Sequence, residues 1–68
     1  SNEKSWATVS VICQDAIDLC RVKIDKNFIH INFEVTSDFK IWANHERIAA
    51  AVFNLILNSI ESFEANKV

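Results

Sequence analysis

The chain has 68 residues, half of them apolar, with seven basic against nine acidic side chains and neither a glycine nor a proline, where average usage gives about five and about three. Without glycine it carries no phosphate-cradling loop of the P-loop or dinucleotide-binding kind, whose backbone must approach a pyrophosphate without a Cβ in the way, and no glycine-dependent hairpin turn. One domain, or part of a larger one, is the most this length can form, and a net charge of −2 spread along the chain offers no footprint for a nucleic-acid backbone or an anionic lipid surface.

The longest uninterrupted apolar run, residues 48–53, is far shorter than the roughly 20 residues of a membrane span, so no membrane contact is expected from this segment. The start, Ser1-Asn2-Glu3-Lys4, has no initiator methionine and no apolar signal region; it reads as an excised segment whose first residues are a cloning remnant. Cys13 and Cys20 stand seven residues apart in one expected helix, which puts their Cα atoms roughly 10 Å from each other, beyond disulfide reach. They read as small apolar residues of a buried face in a reducing compartment.

In chain order, Val9, Ile12, Cys13, Ala16, Leu19 and Cys20 recur at three-and-four spacing with Asp15, Asp18 and Arg21 between them. This predicts an amphipathic helix from residue 5 to about 22, with Ser5 as its N-cap. Residues 21–27 are charged and read as a turn. The period then changes to two: Ile29, Ile31, Phe33 and Val35 alternate with His30, Asn32, Glu34 and Thr36, the pattern of a strand with one buried face. Ser37-Asp38 supply a turn, and Phe39, Ile41 and Ala43 alternate with Lys40 and Trp42, so a β-hairpin without glycine is expected. Asn44 is a suitable N-cap for a second helix running from His45 to about Phe63, with Glu46 in the first turn where the helix dipole favours an anion. The fold class is α+β, ordered helix, antiparallel hairpin, long helix.

The last helix carries the chemistry. Ile48, Val52, Leu55, Ile56, Ser59, Ile60 and Phe63 cover an arc wide enough to expect a largely buried helix. Against it stands a polar stripe of Arg47, Asn54, Asn58 and Glu61, within roughly 60° of one another at 100° per residue. Asparagine is an indifferent helix former, and a buried amide without partners costs about 1–3 kcal/mol, so two of them one turn apart need a reason. Three remain open from spacing alone: a solvated face, amides satisfying nearby backbone, or amides addressing an oxygen-rich ligand or a hard cation such as Mg²⁺.

The nonapeptide Asn54-Leu55-Ile56-Leu57-Asn58-Ser59-Ile60-Glu61-Ser62 resembles the N-box of the ATP-binding domain of sensor histidine kinases, in the superfamily that includes Hsp90, DNA gyrase B and MutL. The approach, Lys40 to Ile48, resembles the strand, turn and helix start that lead into that box, with Asn44 in place of the usual aspartate. The resemblance spans essentially the whole chain and implies a partial two-layer α/β sandwich of the histidine-kinase ATPase type, residues 1–68 being a single partial domain, its N-terminal half. It implies a bacterial, cytoplasmic phosphotransferase, soluble or the cytoplasmic part of a membrane-bound sensor, that passes the ATP γ-phosphoryl group to a protein histidine. By position Asn58 matches the Mg²⁺ ligand, Asn54 the neighbouring phosphate-facing residue, and Ser62 a pocket-lining position near adenine, or equally a small residue at a helix contact. An amide at Asn54, where the Hsp90-like branch has a glutamate base, suits transfer to protein rather than to water, because an amide cannot usefully take a proton from attacking water. Glu61 departs from the Lys or Arg of many kinases.

The implied cofactors are ATP and Mg²⁺, and the implied partners are a phospho-accepting histidine domain and a response regulator. The adenine-reading aspartate, the glycine segments and the phosphate lid would follow Val68, so the 68 residues alone are expected to be inactive, with no catalytic residue among them. His30 and His45 read as surface or capping residues. The alternative is a small non-enzymatic interaction module with a degenerate N-box, its hairpin edge and apolar helix faces covered by a homodimer or by strand exchange.

Overall fold

The computed structural model describes residues 3–66; Ser1 and Asn2, read as the cloning remnant, and Lys67 and Val68 lie outside the described residues. The chain is α+β: strand β1 (Ser5–Thr8), helices α1 (Val9–Leu19) and α2 (Arg21–Lys26), strand β2 (Lys40–Ala43) and helix α3 (His45–Ala65). β1 and β2 form a two-stranded antiparallel sheet in which Trp6 faces Trp42 and Ala7 faces Ile41.

Residues 5–8 are therefore a strand, not the first turn of a helix. Trp6 and Thr8 suit a pleated surface, and the Trp6 and Trp42 rings meet edge to face at 5.4 Å on the outer side of the sheet. Ala7, on the inner side, is buried with Ile12 and Ala49 beneath Ile41 and Ile48. Ser5 is not a cap. The cap position of α1 belongs to Thr8, whose side chain makes no capping bond, and the first amides of the helix are met from far along the chain instead. Val9 N–H donates to the Phe39 carbonyl at 2.9 Å, Ser10 N–H donates to Asp38 Oδ1 at 3.1 Å, and the Ser10 hydroxyl donates to Asp38 Oδ2. Asp38, expected in a hairpin turn, is the anion at the N-terminus of α1.

The expected turn over residues 21–27 is helical. Ile24, 1% exposed, continues the apolar stripe of Ile17 and Cys20, and the helix is only interrupted at Cys20, whose amide reaches back three residues to the Ile17 carbonyl at 3.0 Å. α2 ends in a Schellman motif: Ile29 N–H donates to Ile24 O at 3.0 Å and Phe28 N–H to Asp25 O at 3.1 Å. The left-handed residue that this motif needs is usually glycine; here it is Phe28, at φ 56°, a conformation costing a residue with a Cβ roughly 1–2 kcal/mol.

Residues 29–35 do not pair as the expected hairpin, since β2 is taken by β1 and no backbone hydrogen bond joins residues 30–37 to other described residues. Their alternation acts through burial alone. Ile29 and Ile31 pack with Phe53 and Ile56 onto the main core of Ile17, Cys20, Ile24 and Ile60. Asn27, a buried polar residue, closes this end of the fold by donating to Lys23 O at 2.9 Å and to Glu64 Oε2 at 3.2 Å. Cys13 is half-buried and Cys20 buried, both thiols free. Burial pushes the Cys20 thiol above its ordinary pKa.

α3 begins as expected, with the Asn44 side chain accepting from Arg47 N–H at 3.0 Å and Glu46 in its first turn. It is not largely buried. Ala49 and Ile60 alone are fully covered, because α1, α2, residues 29–31 and the inner face of the sheet pack against one side and no other described element covers the rest; Leu55 stays 67% exposed. By length and composition alone α3 would also pass for a membrane span, at mean hydropathy 1.2. That differs from the expectation drawn from uninterrupted apolar runs, although each bare amide of Asn54 and Asn58 would cost roughly 2–7 kcal/mol in hydrocarbon.

Hydrogen bonds from Ser10 hold the Asp38 carboxyl below the usual carboxylate range, and those from Asn27, aided by Lys23, do the same for Glu64. A folded-state pKa below the unfolded one gives stability that is present above the unfolded value and lost as pH falls through the folded one. The melting temperature should thus be nearly flat from pH 7 to about pH 5 and drop below about pH 4. Asp38→Ala should lower it at pH 7 and make the acid drop shallower, as checked by circular-dichroism melts across pH.

Candidate functional site

Asn54 and Asn58 lie at the middle of α3, one turn apart, with both side chains exposed. The buried stripe runs through Ala49 and Ile60, and at 100° per residue the two asparagines fall on the opposite side of the helix. Arg47 and Glu61 share that side and are exposed too, as is Ser62, one turn beyond Asn58. The structure therefore assembles the expected stripe and places Ser62 at its margin. Neither asparagine side chain has a hydrogen-bond partner among the described residues, which removes the reading in which the amides serve nearby backbone. Ser59, on the flank, is different: its hydroxyl donates to the Leu55 carbonyl at 3.0 Å, a bond within the helix.

What positions the stripe is the seating of α3 on α1. The β2 strand delivers Asn44, Asn44 caps the helix, and one turn of α3 is pinned by the His45 ring, whose Nε2 lies 2.7 Å from Asp15 Oδ2 on α1. His45 is therefore an inter-helix tie, more than the surface or capping residue expected. The signal for it was weak: Asp15 stands among the polar residues of α1, and nothing in the linear order pairs it with a residue thirty positions later.

Two grooves lie elsewhere on the chain. Between α1 and α3 an open groove of about 540 Å³ is lined by Leu19, Ala49 and Phe53 together with Asp15, Asp18, His45 and Glu46. Three carboxylates there repel phosphate. A second groove, about 500 Å³, is apolar and runs between residues 28–31 and the face of α3 bearing Ile56, Ile60 and Phe63. Asn54, Asn58 and Ser62 line neither groove.

Among the described residues no group of three or more His, Cys, Asp or Glu side chains converges as a metal cage. Asn58 suits the other kind of Mg²⁺ site, in which protein supplies one or two oxygens and waters and phosphate oxygens supply the rest. Its amide oxygen is exposed and uncommitted, and the Glu61 carboxylate, three residues on, lies on the same face. Comparison with protein-family models, with curated proteins and with solved structures finds no match to this chain.

Exposed asparagines without internal partners weaken a helix. Asn54→Ala and Asn58→Ala should each raise stability by about 0.5 kcal/mol, from helix propensity alone; urea unfolding measures it. A loss above about 1 kcal/mol in either variant would make that amide structural.

Proposed function

We propose that this chain supplies the phosphate-facing, metal-ligand side of a Mg-ATP site of the histidine-kinase type, within an enzyme that transfers the γ-phosphoryl group to a protein histidine. One observation carries the reading: Asn54 and Asn58, in the setting Asn54-Leu55-Ile56-Leu57-Asn58-Ser59-Ile60-Glu61-Ser62, stand one turn apart on the outer face of α3 with their amides uncommitted. Two amides that serve nothing inside the helix are open to a ligand outside it.

Mg²⁺ held here would neutralise charge on the ATP phosphates. Asn58 offers its amide oxygen to the metal. Asn54, one turn earlier, offers an NH₂ donor and an oxygen acceptor to the phosphate side and, being an amide, leaves water unactivated. Ser62 sits one turn beyond, toward the base. The carboxylates of Asp15, Asp18 and Glu46 beside the α1–α3 groove would disfavour phosphate on that flank and leave the stripe side of α3 the better place for it. A phospho-accepting histidine domain and a response regulator are the partners this chemistry calls for.

With only this part of a site present, affinity for Mg-ATP should be no better than millimolar. Titration of ¹⁵N-labelled protein with Mn²⁺-ATP should broaden the side-chain amide signals of Asn54 and Asn58 first, and Asn58→Ala should abolish the selective effect. Broadening centred on Asp15, Asp18 and Glu46, with Asn58 untouched, would contradict the reading.

A further inference from the structure

We infer that Glu61 makes the outer face of α3 a site for a bare divalent cation, held by the Glu61 carboxylate together with the Asn58 amide oxygen and taken up before nucleotide rather than with it. The inference deepens the Mg-ATP reading and rests on it for the face concerned. Asn58 and Glu61 stand three residues apart on α3, about 60° around and about 4.5 Å along the helix, the spacing at which side chains are neighbours. That juxtaposition belongs to the helix itself and does not depend on what precedes or follows the chain.

Both side chains are exposed, and among the described residues neither has a hydrogen-bond or ion-pair partner. Glu64, one turn further on, shows the contrast: its carboxylate is engaged by the Asn27 amide at 3.2 Å and by Lys23 Nζ at 3.5 Å, whereas the Glu61 charge is answered by no described residue. An amide oxygen and a carboxylate are the hard donors that Mg²⁺ and Mn²⁺ select, and one carboxylate with waters filling most of the octahedron is a usual protein share of such a site. The helix adds to the preference. α3 has no basic residue in its last turn, so the partial negative charge of its C-terminal end favours a cation on this side of the stripe. Asn54 is about 10.5 Å along the helix from Glu61 and reaches the same ion only through water. The charge at position 61 therefore sets the order of binding. A lysine there would hold phosphate and repel a metal ion; the carboxylate attracts the metal ion and repels phosphate until its own charge is neutralised.

Titration of the ¹⁵N-labelled chain with Mn²⁺ alone, without nucleotide, tests this. The Asn58 side-chain amide and the Glu61 backbone amide should broaden together, with half-saturation at about 1 mM, and excess Mg²⁺ should restore both signals. Glu61→Gln, which keeps the shape and removes the charge, should weaken the response about fivefold, and Glu61→Lys should abolish it. Glutamine and lysine serve a helix as well as glutamate does, so both variants should keep the wild-type circular-dichroism spectrum. Broadening confined to Asp15, Asp18 and Glu46, or broadening at Asn58 that Glu61→Gln leaves unchanged, would overturn the inference. A response of Asn58 to Mn²⁺-ATP with none to Mn²⁺ alone would overturn it and leave the Mg-ATP reading standing. A response to Mn²⁺ alone that added ATP neither strengthens nor shifts would uphold the cation site and count against the nucleotide reading.

Discussion

The amide groups at the start of α1 have no carbonyl one turn behind them, and the fold is organised around how they are satisfied. Asp38 and Phe39 reach them from nearly thirty residues downstream, and the four residues that follow pair with the four that precede the helix. Six consecutive residues, 38–43, thus complete a helix terminus and a sheet and then hand the chain to Asn44, the cap of α3. A local cap on α1 would have left Asp38 without its contacts to Ser10.

That closure decides which way α3 faces. With its first turn held by Asn44 and by the Asp15–His45 contact at 2.7 Å, and its far end held by the Glu64 contacts with Asn27 and Lys23, the helix cannot roll on α1. Ala49 and Ile60 turn inward and Asn54 and Asn58 outward. The outward amides give up helix propensity, and Phe28 gives up backbone ease in a left-handed position that a glycine would occupy freely. A chain without glycine meets its turn requirements with side chains and strain.

α3, its cap and its polar stripe are legible in the linear sequence because each depends on residues within a turn or two: Asn44 three positions before the amide it caps, and the asparagines at helical spacing. β2 is legible as an alternating run. β1 is not, since Ser5-Trp6-Ala7-Thr8 flows into the helical spacing of α1, and its strand character comes from a partner 32 or more residues away. The Asp38 contact is hidden for the same reason, and its turn-forming chemistry points to the wrong neighbour. α2 is masked by its charges, although Ile24 continues the buried stripe. At residues 29–35 the alternation correctly indicates which side faces the core, but alternation carries no information about which strand lies alongside.

The placement of α3 depends on β2 pairing with β1, which leaves 29–35 unpaired among the described residues. Nuclear Overhauser contacts between backbone protons, collected on dilute protein, test this directly. Cross-strand contacts linking Trp6 with Trp42 and Thr8 with Lys40, with none between residues 29–35 and 39–43, are the predicted result. A ladder joining 29–35 to 39–43 about the Ser37-Asp38 turn would contradict it, and with it the placement of every element that follows.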